Sequence, residues 1–207
     1  YVMGERGARN EVATPEDVLS MAAIVKEGIQ HGALGFTTSR TELHTTGGDQ
    51  AMPGTYADEA ELLGIGKAIG ELGGKGIFGL VSDFHNWEQE MDWMKRLSID
   101  NNCQVNFVLF FREEADWDRV LKQLAFCRSA KAEGAHLIPH VGARPVNILL
   151  SWDGTINPFS FHTNYAALSI MSHEERLAEL QKPEVRAAIL AEDLPVMGDA
   201  FMDTILS

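Results

Sequence analysis

The chain is poor in positive charge. Lys and Arg number 17 against 30 Asp and Glu, for a formal net charge of −13 over 207 residues. Nucleic acids and anionic membrane surfaces are held through clustered cations, so neither is expected as a partner. Cysteine is scarcer still. Cys103 and Cys127 stand far apart in apolar settings, without a CxxC. That excludes a disulfide framework and a thiolate knuckle, and a reduced, cytoplasmic setting is the default expectation. No apolar run approaches the roughly 20 residues that span a bilayer. No phosphate-loop signature occurs. A small-molecule substrate is the expected partner.

What is present is an alternation of helices and strands. Thr14-Pro15-Glu16-Asp17 is a strong helix start: threonine caps, proline suits the first helical position, and two acids meet the positive end of the dipole. Val18, Met21, Ala22, Val25 and Ile29 recur on one face, and Gly32 is placed to end the helix. A short apolar strand follows at 33–38, as in a buried parallel sheet. Asp58 with Glu61 has the spacing of a capping box. Further strands are expected near 76–82, 104–111 and 135–141, with helices over 87–97 and 116–132, and short helices at 173–180 and 184–192.

Strand–helix alternation of this kind signals parallel β/α architecture. Four strands are too few for a closed eight-stranded barrel of about 250 residues. The expected fold class is α/β, a partial (β/α)8 barrel of about four consecutive βα units over residues 1–150. Residues 151–207 are expected to continue the same domain in irregular and helical form. A smaller open α/β sheet is the competing architecture. The first residues already read as mid-domain sequence, so a piece of a longer protein is expected.

In such folds chemistry sits on the loops that follow strands. Asp83 and His85, after the second strand, are the catalytic candidates: a carboxylate and an imidazole at a strand end suit general acid–base work. Asp83 reads equally well as a cap for the next helix. Ser39 and Arg40 end the first strand, and Arg144 follows the fourth. Their chemistry suits a substrate carboxylate, with Pro145 restricting the backbone that presents Arg144. Tyr56 joins them as a substrate-binding candidate. The loop from 39 to 57 is long for a strand–helix connection, which marks it as functional or disordered. His140, near a strand end, is the candidate metal ligand. His136 is four residues away and on the same side of a strand, roughly 13 Å distant, too far to share a metal.

The run Val2-Met3-Gly4, Ala13-Thr14-Pro15-Glu16-Asp17-Val18, His31-Gly32-Ala33-Leu34-Gly35-Phe36-Thr37-Thr38-Ser39 and Pro53-Gly54-Thr55-Tyr56-Ala57 resembles the middle of N-acyl-D-amino-acid deacylases (D-aminoacylases), of the amidohydrolase superfamily. Glu174-Glu175-Arg176-Leu177 and Pro183-Glu184-Val185-Arg186 resemble a divergent branch of that family. The resemblance implies a TIM barrel that hydrolyses the amide of an N-acyl-D-amino acid with zinc-activated water, most zinc ligands lying outside this segment. Where the family places metal-binding histidines, this chain has Val81 and the run Val105-Asn106-Phe107-Val108-Leu109. A single metal held by other ligands, recruitment of His85 or His140, and loss of the hydrolytic site all stay open. A barrel that is non-catalytic or metal-free and binds a small carboxylate is the alternative.

Overall fold

The computed structural model describes residues 1–46, 50–110, 116–143, 149–154 and 157–192. They divide between two compact units, Tyr1–Val141 and Gly142–Ser207.

The first unit runs α1 (Glu5–Ala8), α2 (Pro15–Gln30), β1 (Gly35–Arg40), α3 (Glu59–Gly70), β2 (Ile77–Ser82), α4 (Trp87–Asn101), β3 (Gln104–Val108), α5 (Trp117–Ala132) and β4 (Leu137–His140). The strands form one sheet in the order β1-β2-β3-β4, every pair parallel. Phe36 pairs with Phe78, Phe78 with Val105 and Val105 with Leu137. Strand order follows chain order without reversal, and neighbouring helices α2–α3, α3–α4 and α4–α5 contact one another in series. A doubly wound sheet reverses its order and carries helices on both faces. This is the partial-barrel arrangement.

Alternation along each strand sends Phe36, Phe78, Leu80, Val105, Phe107 and Leu137 to the helix side. There they form one core with Ile65 and Ile69 of α3 and Met91, Trp93 and Leu97 of α4. Trp93 meets Phe78 edge-on with ring centroids 6.1 Å apart. Helix α3 lies close to both neighbours. A Cβ on Gly64 would stand 2.3 Å from Val18 Cγ1, and one on Gly70 would stand 2.1 Å from the Asn101 carbonyl oxygen. Glycine there allows an approach that no side chain permits.

The helix starts divide by chemistry. Thr14 forms a full capping box, its Oγ1 accepting from Asp17 N at 3.3 Å while Thr14 N donates to Asp17 Oδ2 at 2.9 Å. Arg6 of α1 adds two bonds to the same carboxylate, at 2.8 and 2.6 Å, and holds the Asp17 carboxyl below its usual range. Asp58 caps α3 without a side-chain bond, so the box expected there does not form. Burial instead pushes the Glu61 carboxyl up. Helix α4 runs on to Asn101 because Leu97 and Ser98 are buried and Asn102 closes it in the left-handed region. Gly74-Lys75-Gly76-Ile77-Phe78-Gly79 fits the letters GxGxxG, but it leads into β2 rather than from a strand into a helix. It is not a dinucleotide fingerprint.

The second unit contains α6 (Thr163–Ser169), α7 (His173–Leu180) and α8 (Pro183–Leu190). Tyr165, Leu168 and Ile189 form its core, with Trp152 stacked on Phe159 at 5.6 Å and 9°. Arg176 is buried among backbone carbonyls, donating to those of Leu168 and Met171 at 3.1 Å each and to that of Trp152. Its burial is offset by these bonds. No described helix is long and apolar enough to cross a membrane.

Candidate functional site

The face of the sheet turned away from the helices carries a different set of residues. Thr37, Gly79, Asn106 and Ile138 stand in register, and a Cβ on Gly79 would meet Thr37 Cγ2 at 3.0 Å. Two residues further along, at the C-terminal ends, come Ser39, Val81, Val108 and His140. This is the end of a parallel barrel where sites form. The two rows open onto a cavity of about 1810 Å³, lined among others by Thr37, Ser39, His44, Asn106, Val108 and His140.

The long loop after β1 is ordered through its described part. Thr45 bridges Ala51 in antiparallel fashion, Thr46 N donates to Gln50 O at 2.8 Å, and Met52 N donates to His44 O at 2.9 Å. Asn10, ahead of α2, clips this hairpin: its Nδ2 donates to Ala51 O and its Oδ1 accepts from Gly54 N, both at 3.0 Å. The hairpin carries His44 back to the strand end, where its Nδ1 lies 2.5 Å from Ser39 Oγ. Tyr56 N donates to Ser39 O at 3.2 Å and fixes the other end of the loop, with Tyr56 held at φ 60.

Asp83 ties this loop to the end of β2. Its carboxylate accepts from Thr41 Oγ1 at 2.8 Å, Glu42 N at 2.7 Å and Tyr56 OH at 3.3 Å. Partial burial, and then the Asp83 carboxylate, push the Tyr56 phenol up to about 12. His85 stands exposed, its Nε2 3.3 Å from Glu42 Oε1 and 3.9 Å from Asp83 Oδ2. Asp83 is no helix cap; that position belongs to Asn86.

Arg40 falls one residue past Ser39 and therefore on the helix side. Its Nε donates to both oxygens of Glu90 at 3.0 and 2.8 Å, and its Nη1 to Ala57 O at 2.8 Å. The guanidinium lies against Tyr56 and Trp93, 5.8 Å from each ring centre. Ser82 Oγ completes the group, donating to Glu90 Oε2 at 3.2 Å. Arg144 lies outside the described residues. Of the sequence candidates, the structure brings Ser39, Tyr56, Asp83 and His85 around one loop, puts His140 three strands away on the same rim, and turns Arg40 to the helices. Sequence reasoning missed His44 and Glu90. Strand parity from Phe36 onward could have sorted Ser39 from Arg40, whereas nothing in the loop sequence marks His44.

A zinc site draws on three or four converging His, Cys, Asp or Glu side chains. The strand-end row offers one hydroxyl, two aliphatic side chains and one imidazole, and the Asp83 carboxylate already accepts three hydrogen bonds. Among the described residues no group of three such side chains is placed to hold a metal ion. This donor set does not fit a zinc centre.

In fold, the chain is similar to two deacylases. One is an N-acyl-D-glutamate deacylase from Bordetella bronchiseptica, complexed with zinc and a phosphonate mimic of the tetrahedral intermediate. It matches with a TM-score of 0.54 at 17% identity, over 86% of this chain and 37% of its own. The other is a D-aminoacylase with a binuclear metal centre, with a TM-score of 0.50 at 16% identity, over 66% of this chain and 27% of its own. The chain thus spans well under half the length of either. At such identities the likeness establishes the fold. No protein-family model and no curated protein matches the sequence.

Proposed function

We propose that this chain is part of a hydrolase that cleaves the amide carbon–nitrogen bond of a small N-acylated amino acid, N-acyl-D-amino acids foremost. The supporting observation is the cavity along the open face of the sheet, which reaches the C-terminal strand ends, on a fold shared with two deacylases. The motif run from Val2 to Ala57 supports the same reading independently. In this reading the cavity takes the acylated substrate. Ser39 and Tyr56 orient it from the β1 side, and Asp83 and His85 serve proton transfer at the loop. Arg144 is the fork for the substrate carboxylate, since a desolvated anion needs a cationic partner. Arg40, occupied by Glu90, contributes by holding the loop.

The test is release of free amine from matched N-acyl-D- and N-acyl-L-amino acids. Hydrolysis of the D series, weakened by Arg144→Lys, is expected; absence of release across the panel overturns the reading. The row Ser39–Val81–Val108–His140 favours one alternative, a barrel that binds a small carboxylate without turnover. Calorimetric binding of an N-acyl-D-amino acid left intact after prolonged incubation would select it.

A further inference from the structure

We propose that Ser39 and His44 form a nucleophile–base dyad that cleaves acyl bonds without a metal. The inference rests on the hydrolase reading for its substrate class and on this geometry for its chemistry, and it replaces the orienting role of Ser39 and the proton transfer by Asp83 and His85 in that reading. Serine is a weak nucleophile until a base within hydrogen-bond reach accepts its proton. Ser39 Oγ and His44 Nδ1 are 2.5 Å apart. Both line the cavity, Ser39 from the row that faces it.

The pair is held from three sides. The hairpin bond from Met52 N fixes the His44 carbonyl, Tyr56 N fixes the Ser39 carbonyl, and the Asn10 side chain fixes the hairpin itself. To accept at Nδ1, the imidazole carries its proton on Nε2. Among the described residues no carboxylate bonds to His44, and the proposal is made for the pair alone. Other pairings at the rim do less. The Thr41 hydroxyl donates to Asp83, and His85 faces two carboxylates rather than a nucleophile. Val81 and Val108 leave the middle of the row apolar, which suits an acyl chain.

The step balances without a further reagent. Ser39 Oγ bonds to the acyl carbon as its proton passes to His44 Nδ1. The carbon–nitrogen bond then breaks, and the amine leaves with that proton. Water, giving a proton to His44, attacks the acyl-serine ester. The acid departs, and the proton returns to Ser39. The sum is amide plus water to acid plus amine.

The experiment treats the protein with a fluorophosphonate and with p-nitrophenyl acetate, follows intact mass and peptide mass, and repeats both after a strong chelator. One covalent adduct on the peptide containing Ser39 is expected, at a rate the chelator does not change. Ser39→Ala should lose the adduct. His44→Gln should slow it roughly 100-fold or more, with circular dichroism showing both variants folded. No adduct on Ser39, an adduct formed equally fast in His44→Gln, or a reaction abolished by the chelator overturns the dyad. The N-acyl-D-amino-acid panel separates the two proposals. Amide turnover that survives Ser39→Ala sinks the dyad and keeps the hydrolase. A Ser39 adduct without amide turnover keeps the dyad and sinks the deacylase reading.

Discussion

On the helix side of the sheet, Phe36, Phe78, Val105 and Leu137 stand in register, with Phe78 and Val105 at 0% exposure. One residue along, on the opposite side, the same strands present Thr37, Gly79, Asn106 and Ile138, and Ile138 is 40% exposed. The first row is packed like a protein interior; in the second, Thr37, Gly79 and Asn106 are small or polar and open to the cavity, while Ile138 at the far edge does not line it. Stability and chemistry are therefore separated by the parity of a strand position. Ser39 and Arg40 are chain neighbours, yet one faces the cavity and the other bonds Glu90 of α4.

The sharpest way to break this contrast is to truncate one residue on each side. Phe78→Ala should cost about 3–5 kcal/mol, since it empties a site between Phe36 and Trp93. Asn106→Ala should stay within about 1 kcal/mol. Denaturant midpoints at unchanged slope measure both, and equal losses would mean that the cavity face is core as well.

Arg40 tests parity directly. Its side chain is 16% exposed and that of Glu90 13%. Arg40→Ala strands a largely buried carboxylate, so a loss of about 2–3 kcal/mol is expected, somewhat below fully buried pairs. Arg40→Met with Glu90→Leu should regain most of it. Weakened ligand binding with little loss of stability would instead turn Arg40 towards the cavity.

Glycine offers a finer comparison. Gly70→Ala directs a methyl at a backbone carbonyl that cannot move aside. The expected net loss is about 1–2 kcal/mol, after crediting alanine with its roughly 1 kcal/mol advantage in a helix. Gly79→Ala comes as close as 3.0 Å only to the Thr37 methyl, its other neighbours standing at 3.8 Å, and should cost less than Gly70→Ala in the same thermal or denaturant measurement.

The smallest effect is titrimetric. The Tyr56 phenol is raised from its ordinary 10.0 to about 12. The fold thus holds that proton more tightly than the unfolded chain does. The contribution is fully present below pH 10 and is lost as pH rises through about 12. An ultraviolet titration should show a phenolate step near 12 that Tyr56→Phe removes; a missing step near 10 instead would detach Tyr56 from Asp83.

Local signals read well from the sequence where the physics is local. The cap at Thr14 forms as its four residues dictate, and parallel pairing of Phe36 with Phe78 follows from short apolar strands between amphipathic helices. Helix α1, four residues long, is too short to show a period, and α6 follows His162, which makes no side-chain capping bond. The site was harder to read because its partners are long-range. Arg40 meets an acid 50 positions away and Thr41 one 42 positions away. Ser39 and His44 are close in sequence, but only a hairpin with no regular pattern brings them together.

Asn10 gives the site a chemical clock. Its amide nitrogen faces the Ala51 carbonyl while its oxygen takes the Gly54 N–H, so the two ends of the group are not interchangeable. Deamidation to aspartate would keep the second contact and set a carboxylate oxygen against a carbonyl in place of the first. One hydrolytic event during storage, 34 positions before His44, would loosen the hairpin that presents it. Mass spectrometry would register the change as a single added mass unit on the peptide containing Asn10.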